Sequence, residues 1–248
     1  MGLIRKVRYE ARIDWSRTYM VVANHSSELD VMYCYRLVKS PTVFIGKAEL
    51  AKLPLFGFFF KRSSITVDRN SIASKRQVLE KARRRLARGS GMCIYPEGGI
   101  PKDPRVRLAP FKNGAFQLAV EAGVPILPIT FPDNRRHFPD FNQGGFPGRI
   151  RATVHAPIDT VGADPDALNA QVYALILAEL NRYAAEKVEK LQDLGVIVDA
   201  GGVIICTYFK DSKDVRHCIA SPDFSYSGSY LLPYFDHVIF NEAWESRL

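Results

Sequence analysis

The sequence contains few cysteines, and no two of them form a Cys-x-x-Cys pair. The four are Cys34, Cys93, Cys206 and Cys218. Cys34 and Cys93 lie in apolar stretches, where a buried thiol is the ordinary outcome, so free thiols in a reducing compartment are predicted rather than a disulfide framework. Cys206 and Cys218, with His217 beside the second, have a spacing poorly suited to zinc, and no metal site is expected.

Long apolar runs are also missing. No stretch reaches the roughly 18 consecutive apolar residues of a membrane-spanning helix, so none is predicted. The opening segment, MGLIRKVRYEARIDW, has no apolar core of the kind that a secretory signal requires. Acidic residues number 26 against 34 basic ones, which gives a net charge of +8. This excess indicates an anionic partner: nucleic acid, anionic lipid, or a phosphorylated or carrier-bound substrate.

What the chain does contain is a folded core arranged in alternating segments. Hydrophobic residues make up 47% of its 248 positions, which excludes a disordered protein. Strands are predicted at 19–24, 42–47, 91–99, 124–131 and 148–158, and helices at 28–39, 71–89, 112–123 and 167–192. This alternation predicts an α/β fold with a mostly parallel central sheet covered by helices. Residues 1–192 are expected to form one domain, and 193–248 a possibly β-rich appendage of unknown role.

The stretch VVANHSSELDVMY, residues 21–33, places His25 directly after an apolar run and Asp30 five residues later. A histidine at the carboxyl end of a strand in such a sheet faces the edge where ligands bind. Asp30 could accept one ring N–H of His25, which fixes the tautomer and stabilises the imidazolium formed on proton uptake. The alternative is a structural histidine followed by a helix that Ser26 or Ser27 caps. These residues alone leave both interpretations open.

Two further segments carry glycines or cations. YPEGG, residues 95–99, follows an apolar run, and Gly98-Gly99 would let the backbone approach an anion closely, unless it is an ordinary turn. Residues 44–69 contain Lys47, the apolar run LPLFGFFF between Lys52 and Lys61-Arg62, and Arg69 at the end. Apolar residues bracketed by cations are typical of a protein segment that binds an anionic membrane surface. Three consecutive phenylalanines also suit the hydrophobic core of the protein.

In this order, these segments resemble the glycerolipid acyltransferase family, whose best-known members are the 1-acylglycerol-3-phosphate O-acyltransferases. His25 through Asp30 is similar to the family's His-x4-Asp block. Residues 46–69, from GKAELAKLPLFG to VDR, are similar to its second block, including the lysine and the terminal arginine. YPEGG resembles the Pro-Glu-Gly block.

Two more segments extend the resemblance. VPILPI, residues 124–129, resembles the proline-bearing fourth block, and FKNGAF, residues 111–116, resembles the Lys-x-Gly stretch that follows the third block. The likeness covers about residues 15–160. Four short motifs in the same order favour the catalytic interpretation of His25 and Asp30 over the structural one.

The resemblance implies transfer of a fatty acyl group from acyl-CoA or acyl-ACP to the free hydroxyl of lysophosphatidate, giving phosphatidate in phospholipid biosynthesis. It implies no cofactor beyond the thioester co-substrate and no metal. His25 would be the base and Asp30 its orienting acid. The substrate-binding residues would be Lys47, Arg69, Glu97, Gly98, Gly99 and Lys112. The implied location is peripheral, on the anionic cytoplasmic face of a membrane, without nucleic acid as a partner.

One departure from the family keeps other acceptors open. The third block usually continues Thr-Arg-Ser, whereas GIPK follows here at 99–102, so its hydroxyl and guanidinium are missing. Lys102, Arg105 and Arg107 are candidates for the lost positive charge. Alternative acceptors are glycerol 3-phosphate, a lyso-aminolipid or a glycolipid. A non-catalytic protein that binds membranes or nucleic acid through KARRRLARG, residues 81–89, is a further alternative, although a solvated helix face is the commoner meaning.

Overall fold

The structure is a computed structural model. It describes residues 3–47, 64–67, 72–103, 106–139, 145, 147–193, 196–198, 204–210, 216–220 and 237–240. The chain forms two compact units, Met1–Leu180 and Asn181–Leu248. Among the described residues, no helix combines the length and the apolar character that crossing a membrane requires.

A seven-stranded sheet forms the centre of the first unit. Its strands are β1 (Leu3–Tyr9), β2 (Met20–Ala23), β3 (Thr42–Lys47), β4 (Ser64–Val67), β5 (Gly91–Ile94), β6 (Ile126–Thr130) and β7 (Gly148–Val154). Their order is β1-β7-β6-β2-β5-β3-β4. Every neighbouring pair is parallel except β6 and β7. The predicted mostly parallel sheet is therefore confirmed.

Helices cover both faces of this sheet. They are α1 (Leu29–Leu37), α2 (Ile72–Ala87), α3 (Gly114–Ala122), α4 (Asn134–His137) and α5 (Pro165–Asp193). Helices α2, α3 and α5 contribute to the core on one face, and α1 contributes to the core on the other.

The central strand β2 shows why its sequence is apolar without interruption. Met20 and Val22 belong to the core beneath α2 and α3, whereas Val21 and Ala23 belong to the core beneath α1. All four side chains are fully buried. A strand that is covered on both faces has no position for a polar side chain, and burial of each large apolar side chain stabilises the fold by ~1.5–3 kcal/mol.

The parallel strands bring the sequence motifs to one edge of the sheet. Strands β2 to β6 all run in the same direction, so their carboxyl ends share an edge. His25 follows β2, Lys47 is the last residue of β3, and the Pro-Glu-Gly block follows β5. The fourth block runs along β6, whose Pro128 pairs with Val22. In α/β proteins this edge is where ligands bind.

Neither β1 nor α4 was predicted from the sequence. Strand β1 lies at the edge of the sheet, pairs only with β7, and leaves most of its side chains exposed. Its two partly buried apolar positions, Leu3 and Val7, are separated by basic residues, so the apolar signal is weak. Helix α4 is a single turn, which is too short for a helical period to be visible in sequence.

The second unit contains a separate four-stranded sheet. Its strands are β8 (Val196–Val198), β9 (Ile204–Lys210), β10 (Arg216–Ala220) and β11 (His237–Phe240), in the order β11-β10-β9-β8. Strands β8 and β9 are antiparallel neighbours. A functional boundary near residue 193 stays a prediction.

Candidate active site

His25 and Asp30 are in contact at the carboxyl edge of the sheet. Asp30 is fully buried in the first turn of α1, and its Oδ2 lies 3.0 Å from His25 Nδ1. The same oxygen accepts the backbone N–H groups of Ser26 at 2.6 Å and Ser27 at 2.9 Å. Because a carboxylate accepts hydrogen bonds, Nδ1 carries the proton and Nε2 keeps a lone pair. The imidazole is 15% exposed, so it remains accessible to a substrate.

The turn that carries this pair is fixed from both ends. Asn24 donates from Nδ2 to the Phe131 carbonyl at 3.0 Å and accepts the Phe131 N–H at 2.8 Å, which ties the end of β2 to the end of β6. Ser27 Oγ accepts the Leu29 N–H at 3.1 Å and donates to the Phe138 carbonyl at 2.5 Å. Ser27 thus supports the start of α1, as the structural interpretation expected, while Asp30 also meets His25.

Glu97 holds the histidine turn through backbone contacts. Its Oε1 accepts the His25 N–H at 2.6 Å, and its Oε2 accepts the Ala109 N–H at 2.8 Å. Burial raises the pKa of Glu97, and the two N–H donors act in the opposite direction. Each oxygen keeps a further lone pair, so the expected contact with a ligand hydroxyl stays a prediction.

Gly98 and Lys112 lie against each other next to Glu97. Gly98 has φ of 82°, and a Cβ built on it would overlap the Lys112 amino group and lie 3.0 Å from Lys112 Cε. The positive φ favours glycine here, and a Cβ would displace the end of the Lys112 side chain. The Lys112 N–H also donates to the Pro96 carbonyl at 2.9 Å, which anchors the segment that carries the lysine.

Only some of the other predicted cations are among the residues that the structure describes. Lys47 ends β3 at the same edge, but its side chain lies outside the described residues, as do Arg69, Arg105 and the apolar run with its flanking cations at 52–62. Lys102 and Arg107 are exposed. Glu97, Gly98, Gly99 and Lys112 are therefore the predicted substrate-binding residues that the structure brings together beside His25.

Backbone donors for an oxyanion are restricted by bonds inside the protein. The N–H groups of His25, Ser26 and Ser27 all donate to carboxylates, and that of Gly98 donates to the Tyr95 carbonyl at 3.0 Å. The N–H of Gly99 has no partner among the described residues. Among the described residues, Gly99 is therefore one backbone donor near these two turns that stays available.

Tyr95 contacts His25, although the sequence did not single this tyrosine out. Its ring stacks on the His25 imidazole with centroids 4.2 Å apart and planes 21° from parallel. Burial raises the pKa of Tyr95 well above its ordinary value, so the phenol stays neutral. The aromatic ring thus restricts the tilt of the imidazole and can stabilise its protonated form. The only signal in the sequence was an aromatic residue directly before the Pro-Glu pair.

Asn134 and Arg135 were also missed. Asn134 Nδ2 donates to Asp30 Oδ1 at 2.7 Å, and Arg135 Nη2 donates at 3.2 Å to the carbonyl of Pro101 in the altered third block. Both lie on α4, which follows the fourth block and belongs to no motif.

The cysteines behind the site are free thiols, as predicted. Cys34 and Cys93 are fully buried with their sulfur atoms 3.4 Å apart. Burial raises the pKa of Cys93 well above its ordinary value, so this thiol is protonated and unreactive. No group of three metal-ligating side chains occurs in the described part of the chain.

As a chemical unit, the site contains an imidazole, a carboxylate in contact with it and a cation beside a glycine turn. An imidazole with a free Nε2 can take a proton from a hydroxyl group. A backbone N–H and an ammonium group can stabilise the charge that develops on a carbonyl oxygen under attack. This combination suits acyl transfer to a hydroxyl.

Comparison with known proteins supports the same chemistry. A relative from sheep (Ovis aries), 1-acyl-sn-glycerol-3-phosphate acyltransferase alpha, is 31% identical over 177 residues, covering 68% of this chain and 59% of that protein. The 1-acyl-sn-glycerol-3-phosphate acyltransferase of Salmonella typhimurium is 29% identical over 180 residues, covering 67% and 69%. A chloroplastic enzyme of that name from Brassica napus is 32% identical over 145 residues, covering 58% and 41%. The chain thus spans less than two thirds of the sheep and Brassica relatives.

The fold and the family agree with these relatives. The crystal structure of the 1-acyl-sn-glycerophosphate (LPA) acyltransferase PlsC from Thermotoga maritima superposes with a TM-score of 0.62 at 25% identity, covering 72% of each chain. The family model described as Acyltransferase matches residues 5–132, which is more than half of the chain. That range contains His25, Asp30, Glu97 and Lys112. The chain therefore belongs to the acyltransferase family.

Proposed function

We propose that the protein transfers a fatty acyl group from an acyl thioester, acyl-CoA or acyl-ACP, to the free hydroxyl of lysophosphatidate and so forms phosphatidate. The observation that carries this proposal is the contact between His25 Nδ1 and Asp30 Oδ2, which leaves His25 Nε2 free to act as a base. The relatives named 1-acyl-sn-glycerol-3-phosphate acyltransferases support the choice of acceptor.

In the proposed reaction His25 acts first as a base and then as an acid. Nε2 takes the proton of the acceptor hydroxyl while that oxygen attacks the thioester carbonyl carbon. The new C–O bond forms, the C–S bond breaks, and the leaving thiolate receives the proton from the imidazolium. Such a base contributes ~10²–10⁴-fold to the rate. The Asp30 carboxylate, 3.0 Å from Nδ1, stabilises the imidazolium between the two transfers.

Charge on the thioester oxygen is stabilised in this proposal by Gly99 and Lys112. The Gly99 N–H is not engaged by another described residue, and the Lys112 ammonium lies against Gly98. Gly99 belongs to the turn that Glu97 links to His25, and the backbone N–H of Lys112 donates to the Pro96 carbonyl of that turn. A donor that is already in place when the charge develops lowers the barrier without reorganisation.

The acceptor phosphate is assigned to Arg69 and Lys47 on sequence grounds. A guanidinium binds phosphate with two parallel hydrogen bonds, and a lysine adds a point charge. We place the enzyme at an anionic membrane surface because the acceptor is a lipid, with the apolar run and its flanking cations at 52–62 as the contact.

The first test is an acceptor panel with a long-chain acyl thioester, in which released thiol is measured. Lysophosphatidate should give the highest kcat/KM, ahead of glycerol 3-phosphate, a lyso-aminolipid and a glycolipid. A different acceptor with a higher kcat/KM would replace lysophosphatidate in the proposal. Absence of acceptor-dependent thiol release across the whole panel, with folded protein, would overturn the acyl-transfer function itself.

Arg69→Ala should weaken the use of a phosphorylated acceptor. Loss of charge-assisted hydrogen bonds costs ~1.5–3 kcal/mol, which corresponds to a KM for lysophosphatidate that is about 10–100-fold higher. Arg85→Ala is the matched control, because it removes the same charge from an exposed position on α2. An unchanged KM in Arg69→Ala would contradict the phosphate role and favour an acceptor without phosphate.

Helix α2 is the feature behind the non-enzymatic alternative. Its Val78, Ala82 and Leu86 are buried against the sheet, so the cations of KARRRLARG occupy the remaining, solvated face. Arg83 pairs with Glu121 at 2.8 Å and with Glu80 at 2.9 Å. These contacts are those of an ordinary amphipathic helix, and no specific observation favours nucleic-acid binding.

A further inference from the structure

The segment that follows β6 holds the histidine turn at three points. Phe131 exchanges two hydrogen bonds with Asn24, the Phe138 carbonyl accepts from Ser27, and Asn134 donates to Asp30. Residues 131–138, here called the support segment, lie more than a hundred positions away from this turn in sequence. The support segment therefore fixes the position of the whole turn that carries His25.

Asn134 is the member of the support segment that reaches the catalytic pair. Its side chain is fully buried, and its Nδ2 lies 2.7 Å from Asp30 Oδ1. An ionised carboxylate only accepts hydrogen bonds, so the amide must present its NH₂ group to Asp30. The other carboxylate oxygen, Oδ2, receives Ser26, Ser27 and His25. Asn134 thus provides the side-chain donor at Oδ1.

The stability of the fold alone does not explain an asparagine at this position. Its own Oδ1 is buried and has no hydrogen-bond partner among the described residues. A buried polar atom without a partner destabilises a protein, so an apolar residue of similar size would be favoured here if packing were the sole requirement. What the asparagine provides instead is a donor for the buried charge of Asp30.

The position of this donor is fixed by the neighbouring residue. Asp133 binds Arg151 of β7 through Nε and Nη2, both at 2.7 Å, and through the Arg151 backbone N–H at 3.0 Å. Strand β7 is hydrogen-bonded on both sides within the sheet. The carboxylate of Asp30 can rotate about its Cβ–Cγ bond. It is held in one orientation by Asn134, because the neighbouring Asp133 anchors the backbone of Asn134 to the sheet.

We propose that Asn134 is a positioning residue for the reaction. By holding Asp30 Oδ1, it keeps Oδ2 directed at His25 Nδ1, and this contact keeps the lone pair of His25 on Nε2. The inference rests on the proposed function, in which Nε2 is the base. Asn134 acts through Asp30 and need not touch the substrate.

The ionisable groups around Asp30 define what a test must control. His25 contacts it directly, and the negative charge of Asp30 contributes to raising the pKa of Glu97, Cys93 and Tyr95. Asn134 is uncharged, so replacing it by aspartate adds one carboxyl group against Asp30 without a change in side-chain shape. Two adjacent carboxyl groups do not both ionise readily, so one proton stays on the pair and is shared between them.

The kinetic test compares Asn134→Ala and Asn134→Asp with the wild type. Asn134→Ala should lower kcat by about 10–100-fold, which is the usual effect of losing a group that orients another side chain of an active site. The KM should stay within about twofold of the wild-type value. Asn134→Asp should be rescued at low pH, where its protonated carboxyl donates to Asp30. Its kcat relative to the wild type should then fall as pH rises and the proton is lost. Asn169→Asp, which changes an amide bonded to the Phe111 carbonyl, is the matched control and should not show this profile.

Two further measurements separate positioning from a general loss of stability. In an Asp30→Ala background, Asn134→Ala should cause no additional loss of kcat, because its effect passes through Asp30. Nitrogen-15 spectra of the His25 ring should show a protonated Nδ1 in the wild type and a mixture of tautomers in Asn134→Ala.

The spectra do not depend on turnover, so a failure of the proposed function is distinguishable from a failure of this inference. A folded Asn134→Ala variant with wild-type kcat and an unchanged Nδ1 signal would overturn the inference. If Asn134→Ala does not fold, the pH profile of Asn134→Asp decides: a constant ratio to the wild type across pH would equally overturn it.

Discussion

Replacement of His25 by alanine should reduce kcat by about 10⁴-fold, the upper end of what a general base contributes. The described carboxylates nearest to His25 cannot replace it easily, because Asp30 and Glu97 are both engaged by backbone N–H groups. The assay is thiol release from an acyl thioester in the presence of lysophosphatidate. A folded His25→Ala variant with turnover close to that of the wild type would contradict the mechanism.

The fold of this variant should be little affected. The N–H that binds Glu97 belongs to the backbone of residue 25 and is kept in alanine, and Asp30 keeps two backbone donors and Asn134. A denaturant titration should therefore give a free energy of unfolding close to that of the wild type.

His155 provides the opposite control. It is 1% exposed, its Nε2 lies 2.8 Å from Thr130 Oγ1, and its Nδ1 lies 2.9 Å from Glu10 Oε2. His155→Ala should lower the free energy of unfolding by about 2–4 kcal/mol, because a cavity and unpaired polar groups remain, yet should keep kcat per folded molecule. The two histidines would thus separate catalysis from stability.

The sheet could be predicted from the sequence because its central strands carry a strong local signal. Strand β2 is apolar at every position, whereas the helix after it mixes apolar and polar residues. Helix α3 ends at Gly123, with φ of 61°, where the sequence indicated. The edge strand β1 buries too little to produce such a pattern. Its pairing with β7 joins residues 145 positions apart, and no local pattern encodes such a contact.

The site was predictable only where its residues are close in sequence or belong to a family motif. His25 and Asp30 are five residues apart, and the short turn before α1 brings them together. Glu97 was identified from its motif, but its bond to the His25 backbone spans 72 positions and depends on β2 lying beside β5. Asn134 reaches Asp30 across 104 positions and has no motif around it, so only the folded chain reveals it.

The second large effect is expected for Asp30→Asn, which should lower kcat by about 10²–10³-fold while the protein stays as stable as the wild type. Three N–H groups point at the position of Oδ2, and each of them needs an acceptor there. The new amide must therefore place its oxygen at that position and direct its NH₂ group towards Asn134. Asn134 can turn its own amide and offer Oδ1, the atom that has no partner among the described residues. All hydrogen bonds are then kept, and the tautomer of His25 is preserved.

What the variant loses is the negative charge beside the imidazolium. Two unit charges about 4 Å apart interact by about 4 kcal/mol at an effective dielectric constant of 20. Loss of this interaction can therefore lower kcat by at most about 10³-fold. Asp164→Asn, at an exposed carboxylate that accepts the Ala167 N–H at 3.0 Å, is the matched control and should retain full turnover. Thiol release and denaturant unfolding, measured on the same samples, check both parts. Unchanged kcat would exclude the charge role of Asp30, and a marked loss of stability would show that Asn134 does not turn to meet the new amide.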